Sequence, residues 1–317
     1  MTAHPSITIL GYGSQGRAWA LNLRDAGWQV TIGLPSRSKS RNCARRDRFK
    51  RITTTARAVK GARMIVFAMP DHLHGCVFYR EILPNLAPHS TLVFLHGFAV
   101  HFKIVNAPPD ADVILLAPLG PGSAVREKFL ARKSVGFFYT IHQNGSGRAK
   151  TRLNTLLKGL HVDRETLIMT SFADEAIGDL FGEQAVLCGG LTQLIKAGYD
   201  ILRDAGLSSD KAYLEVAYQL DLIVDLIRKY GIEGMYDRIS VTARYGSFLA
   251  GPEVIDKNVS RNMKQVLAEI TSGRFARRLS RLDPDKIKKL QHDLKRLSSP
   301  SFEKSARTFS PVRKNGK

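Results

Sequence analysis

The chain has 317 residues, with 48 Lys and Arg against 28 Asp and Glu, a formal net charge of +20. That length accommodates two domains with real cores, and no apolar run is long enough to span a membrane. Three widely spaced cysteines, Cys43, Cys76 and Cys188, make neither a metal pattern nor a disulfide framework. The first strand begins within a few residues of Met1, which leaves no room for a signal peptide, so a reducing cytoplasm is the expected setting.

A β-branched apolar strand, Ile7 to Leu10, runs into Gly11-Tyr12-Gly13-Ser14-Gln15-Gly16, and a helix-forming stretch, Arg17 to Ala26, follows. Each glycine has a task in a dinucleotide site. Gly11 permits the tight turn, Gly13 lets backbone N–H groups approach a pyrophosphate, and Gly16 lets the helix pack close to the strand. The helix N-terminus adds partial positive charge. Beyond the second strand, Val30 to Ile32, an NAD site carries a carboxylate for the ribose 2′-hydroxyl. None occurs here between Asp25 and Asp47. The loop reads instead Gly33-Leu34-Pro35-Ser36-Arg37-Ser38-Lys39-Ser40-Arg41, and its cations and hydroxyls, Arg37, Ser38 and Ser40 foremost, suit a 2′-phosphate. NADPH is the expected cofactor; an ordinary solvated basic loop is the other reading.

Further apolar strands are predicted at Met64 to Ala68, Leu92 to Leu95, Val113 to Leu116 and Val135 to Thr140, at βαβ spacing, which implies a doubly covered parallel α/β sheet. Ligands in such sheets bind outside the carboxyl ends of the strands. That places His96-Gly97-Phe98 and the turn from Ala117 to Gly122 at the site, Gly122 as a further cofactor contact. After about Ser171 helical stretches dominate: Asp174 to Ala205, Ser209 to Tyr230 and Asn258 to Ser272. Several are apolar on more than one side, so they need burial in an oligomer or an interlocked bundle. The predicted division is a Rossmann-type domain over 1–172, an all-α domain over 173–297 and a basic, disordered tail over 298–317. Basic segments of this kind bind nucleic acid only non-specifically, through phosphate neutralisation.

Asp179 and Glu183, at i and i+4, share one helical face among apolar and small neighbours. Buried carboxylates need partners, and a hard cation such as Mg²⁺ takes oxygen ligands; a cap or a salt bridge satisfies them equally well. Glu215 on the next long helix is a third candidate, with Gln219 at its i+4 position.

These residues resemble those of the ketol-acid reductoisomerase (acetohydroxyacid isomeroreductase) family, in its short form with one helical domain. The likeness runs from about Ile7 to Leu279. It rests on Gly11 to Gly16, Leu21-Asn22-Leu23-Arg24-Asp25, Ser38-Lys39-Ser40, His96-Gly97-Phe98, Asp179-Leu180-Phe181-Gly182-Glu183-Gln184, Leu187-Cys188-Gly189-Gly190 and Leu222 to Ile227. The resemblance implies a Rossmann domain followed by a knotted helical domain that dimerises. It also implies NADPH, two Mg²⁺ ions, and alkyl migration in a 2-acetolactate-type substrate followed by reduction to a 2,3-dihydroxy acid, in valine, leucine and isoleucine synthesis. By position Asp179 resembles the carboxylate bridging both metals, Glu183 a ligand of one, and Glu215 the carboxylate given by the partner subunit. Ser240 resembles a substrate-binding hydroxyl and His96 a histidine of the catalytic site.

Three positions depart from the family pattern: Leu119 stands where it has a lysine, and Gln219 and Arg244 where it has glutamates. They remove a cation and two carboxylates, which favours a divergent member that only reduces 2-keto acids as the alternative to the full reaction. A non-catalytic NADP-binding or nucleic-acid-associated protein is a third reading, supported by the charge alone.

Overall fold

In a computed structural model, described over residues 5–310, the chain forms two units. One runs to Asp179 and takes in Ala276–Arg281; the other holds Leu180–Phe275 and the chain from Leu282 onward.

The first unit is built on strands β1 (Ser6–Leu10), β2 (Gln29–Gly33), β3 (Ile52–Thr53), β4 (Met64–Phe67), β5 (Thr91–Phe94), β6 (Asp112–Pro118), β7 (Phe137–Asn144) and β8 (Leu167–Met169). Their order is β3-β2-β1-β4-β5-β6-β7-β8. Helices α1 (Ser14–Asp25), α2 (Ser40–Arg46), α3 (Thr55–Val59), α4 (Asp71–Val77), α5 (Phe98–His101), α6 (Gly122–Leu130) and α7 (Ala149–Gly159) connect them. Successive strand residues alternate between two cores. Ile9, Val66, Val93 and Ile114 pack on the face covered by Trp19 and Leu156, while Leu10, Ile65, Leu92 and Leu115 pack with Phe67, Phe78 and Phe94 on the other. Burial on both faces is why these strands read as unbroken apolar runs.

The sheet departs from the expected all-parallel arrangement at β7, which runs antiparallel to β6 with Phe137 opposite Pro118. Helix α6 returns the chain to the end of the sheet it left, so it makes no crossover. Strands β3 and β8 were not predicted, being two and three residues long.

The second unit continues from α8 (Phe172–Phe181) into a π-helical turn, Gly182–Leu187, then α9 (Gly189–Asp204) and α10 (Ser209–Tyr213). Another π-helical turn, Leu214–Tyr218, leads to α11 (Leu220–Tyr236), α12 (Val241–Val254), α13 (Lys257–Thr271), α14 (Arg274–Leu279, most of which belongs to the first unit), α15 (Pro284–Leu297) and α16 (Pro300–Phe309).

Helix α16 corrects the expectation of a disordered tail. Phe302 and Phe309 pack on Tyr199, Tyr213 and Tyr218 at centroid distances of 5.1 to 6.3 Å. Buried Ser305 donates to Asp210 at 2.6 Å. Ser299 caps the helix by accepting the Phe302 N–H, and Pro300 opens it. Positions 302, 305 and 309 make one helical stripe, a periodicity that the Ser, Lys and Arg content of the segment obscures. Residues 311–317 of the predicted tail lie outside the described residues. No described helix is long and apolar enough to cross a membrane.

Candidate active site

The glycine loop joins β1 to α1. Gly11 has φ +103°, and a side chain there would strike the Ala68 carbonyl. Gly13 faces open space, as a phosphate cradle requires, whereas Gly16 lies against the Gly11 carbonyl. Ser14 begins α1, and Gly122 at the start of α6 abuts its carbonyl, so two helix N-termini converge. Gln15 Nε2 donates to the Gly120 carbonyl at 2.8 Å, tying the loop to the turn before α6.

Tyr12 is buried and its hydroxyl donates to Asp47 at 2.8 Å. Arg17 grips the same carboxylate through two nitrogens, at 2.7 and 2.9 Å, and holds it below the usual carboxylate range. Asp47 is therefore committed to the scaffold. In the loop after β2, Arg37 is exposed, Ser38 Oγ accepts the Ser40 N–H at 3.3 Å, and Ser40 opens α2. Arg41, which sequence reasoning did not single out, donates to the carbonyls of Leu34, Ile52 and Thr53 and fixes the base of this loop to β3.

His96 follows β5, at the same end of the sheet as the glycine loop. Its Nδ1 lies 3.0 Å from Glu175 Oε2 and 3.5 Å from Asp179. Glu175 is buried and also accepts the Gly97 N–H at 2.5 Å. Gly97 is required there, because a side chain would meet the Phe172 carbonyl at 2.4 Å. Burial opposes protonation of His96, but the Glu175 hydrogen bond and charge, with the charges of Asp71 and Asp179, raise its pKa to about 9. At neutral pH the ring is an imidazolium, with Nδ1–H given to Glu175 and Nε2–H left as a second donor. A cleft of about 620 Å³, bordered by Phe94, His101, Lys103, His142 and Phe172, includes none of the predicted residues.

Glu175 was missed from sequence. It lies four residues before Asp179, which lies four before Glu183, so the signal was a series of three carboxylates on one helical face. Asp179 is about half-exposed on α8. Glu183 and Glu215 are exposed, each in a π-helical turn. Such turns recur at functional sites because they reorient side chains that a regular helix would align.

Gln219 Nε2 reaches Glu215 at 3.4 Å and the Leu214 carbonyl at 3.2 Å. Ser240 caps α12, its Oγ accepting the Ala243 N–H at 3.1 Å. Arg244 donates to the Tyr236 carbonyl at 2.6 and 3.0 Å, closing the C-terminal end of α11. Leu119 is exposed and held by backbone, its N–H donating to the Gly136 carbonyl. Among the described residues no group of three or more His, Cys, Asp or Glu is placed to hold a metal ion within one chain.

The NADPH-binding domain of acetohydroxy acid isomeroreductase matches residues 2–165, and the C-terminal domain of ketol-acid reductoisomerase matches residues 172–309. An NADH-preferring ketol-acid reductoisomerase from an uncultured archean is similar at 32% identity and a TM-score of 0.88, over 98% of this chain and 95% of that one. A semialdehyde dehydrogenase NAD-binding protein from Cupriavidus necator (15% identity, TM-score 0.65, 85% of this chain and 99% of that one) shares the fold. So does an oxidoreductase from Jannaschia sp. CCS1, at 14% identity and a TM-score of 0.62 over 85% of this chain and 98% of that one. With both domains matched in order, the chain belongs to the ketol-acid reductoisomerase family and is an NAD(P)-dependent oxidoreductase of that type.

Proposed function

We propose that the chain is an NADPH- and Mg²⁺-dependent ketol-acid reductoisomerase that converts 2-acetolactate-type substrates to 2,3-dihydroxy acids. The observation that carries this reading is the cluster of His96, Glu175 and Asp179 at the end of the sheet that bears the glycine loop. The Arg37-to-Ser40 loop and the commitment of Asp47 to Arg17 and Tyr12 support NADPH, since no free carboxylate faces a 2′-phosphate there. The archaeal relative prefers NADH, so cofactor choice rests on this loop and not on family membership.

Asp179, Glu183 and Glu215 offer hard oxygen donors, which fit Mg²⁺. One chain does not complete the set, and in this proposal Glu215 comes from a second copy. When bound, the cofactor supplies hydride and Mg²⁺ polarises the substrate oxygens. The chain's own groups manage protons and orientation. Glu175 fixes the His96 ring, and His96 holds a proton at Nε2 for a substrate oxygen. Ser240, its Oγ already accepting from Ala243, has its O–H left to donate to the substrate.

The test is NADPH oxidation by purified protein with Mg²⁺ and 2-acetolactate. Turnover is expected, and its absence with this substrate would refute the assignment. Asp179→Asn should abolish Mg²⁺-dependent turnover and leave NADPH binding intact, because the glycine loop and Asp179 stand on different elements.

A further inference from the structure

Between residues 26 and 63 the chain carries eleven Lys and Arg and a single carboxylate, Asp47. Asp47 is already neutralised by Arg17. At the ends of the strands opposite the glycine loop, a concavity of about 220 Å³ is lined by Arg51, Arg57, Lys60 and Arg63 together with Ser6, Thr8 and Thr31. Arg51 immediately precedes β3 and Arg63 immediately precedes β4, the outer members of the run β3-β2-β1-β4. Three inter-strand steps separate them, about 14 Å in all. Arg51 donates to Gln29, and among the described residues none of the four lies within 4 Å of a carboxylate. All four are exposed. Like charges converging without partners repel one another, so this rim gains from an anion that bridges them.

We propose that this rim binds the phosphate backbone of a nucleic-acid duplex without reading its sequence. The cations are long, exposed and not paired with carboxylates, which suits a polymer of charges and gives no fixed geometry for one small anion. The aromatics of the segment, Trp28 and Phe49, are buried, so no platform exists for stacking the bases of a single strand. The segment exposes no large apolar side chain, as anchoring in a lipid surface would need. Laid along the axis of a duplex, where each strand advances about 3.4 Å per phosphate, the distance from Arg51 to Arg63 spans about four phosphates of one strand.

Fluorescence anisotropy with a labelled 20-base-pair DNA of mixed sequence tests this on the full-length chain. Four phosphate contacts predict a slope of log affinity against log salt of about −3.6. Affinity then falls on the order of 100-fold between 50 and 200 mM KCl. The variant R51Q/R57Q/K60Q/R63Q should bind at least about 10-fold more weakly with a shallower slope, while keeping its melting temperature and NADPH affinity. A variant with equal charge loss on α15, K288Q/K289Q/K295Q/R296Q, should bind like the parent. Should the rim variant fail to fold, protection of Lys60 from acetylation by the duplex gives the same answer on the unaltered protein. The proposal is overturned if the rim variant binds as the parent does, if both variants weaken equally, or if Lys60 is not protected. It is also overturned if tripolyphosphate or phosphatidylserine vesicles bind the rim more tightly than the duplex.

Discussion

Burial alone would keep His96 neutral, yet three carboxylates around it reverse the balance and raise its pKa to about 9. A histidine whose folded pKa lies above its unfolded value, about 6.5, stabilises the fold fully below that pH. The contribution is lost as pH rises through about 9. Glu175→Gln should therefore lower the His96 pKa, because burial remains while the largest opposing interaction is gone. Histidine titration by NMR measures this directly, and an unmoved pKa would show that Glu175 does not set the charge. The same variant should flatten the loss of melting temperature between pH 7 and 9. At the cofactor loop, Arg37→Glu with Ser38→Asp should raise the Michaelis constant for NADPH far more than that for NADH. Equal affinity of the parent for both cofactors would remove the reason for assigning the loop to a 2′-phosphate. Arg41 is not interchangeable with Arg37 in this experiment, since its guanidinium serves three backbone carbonyls.

At the level of elements, what was legible followed from periodicity and what was missed followed from shortness or mixed composition. The long buried strands announced themselves as apolar runs, and the glycine loop by its spacing, because both are local consequences of burial and close approach. Strand β3 is too short to carry a period. The π-helical turns at Glu183 and Glu215 were read as continuous helix, since one extra residue per turn leaves no mark on composition. Glu175 was passed over because its role comes from His96 and Gly97, nearly eighty residues away in the chain. Helix α16 shows the cost of averaging composition: its cations face outward while Phe302, Ser305 and Phe309 face α10 and the turn that carries Glu215. Truncation after Leu297, which a disordered tail would tolerate, should instead lower the melting temperature by several degrees and weaken catalysis. Phe302→Ala and Phe309→Ala should each cost on the order of 2 kcal/mol, less than a fully buried Phe because both rings keep some exposure. Denaturant melts check this, and a truncated chain with unchanged midpoint and turnover would show that α16 supports neither.

On the scale of the whole molecule, the helical unit of a single copy exposes large apolar side chains along two of its helices. On α12, Val241, Tyr245, Phe248 and Leu249 form a single stripe, and each is more than half exposed. On α11, Ile223, Ile227 and Tyr230 make a second stripe, each less than half exposed. Contiguous apolar surface of this kind suits an interface, and the second copy of the proposed function, seated there, would also account for one chain not gathering the carboxylates a metal needs. The net charge of +20 opposes self-association, so the apolar contact must outweigh repulsion that salt screens. Dimerisation should accordingly strengthen from low to moderate ionic strength, the opposite of what an interface held by ion pairs would do. Light scattering should find at least two copies at assay concentration. Phe248→Glu with Leu249→Glu places two charges where each partner would need to bury them, which is very costly. Because both side chains are exposed in the single chain, the variant should keep its helical content and NADPH affinity while falling to a monomer and losing Mg²⁺-dependent turnover. A parent protein that is monomeric and fully active would place every catalytic group within one chain and remove the role given to Glu215 of a second copy.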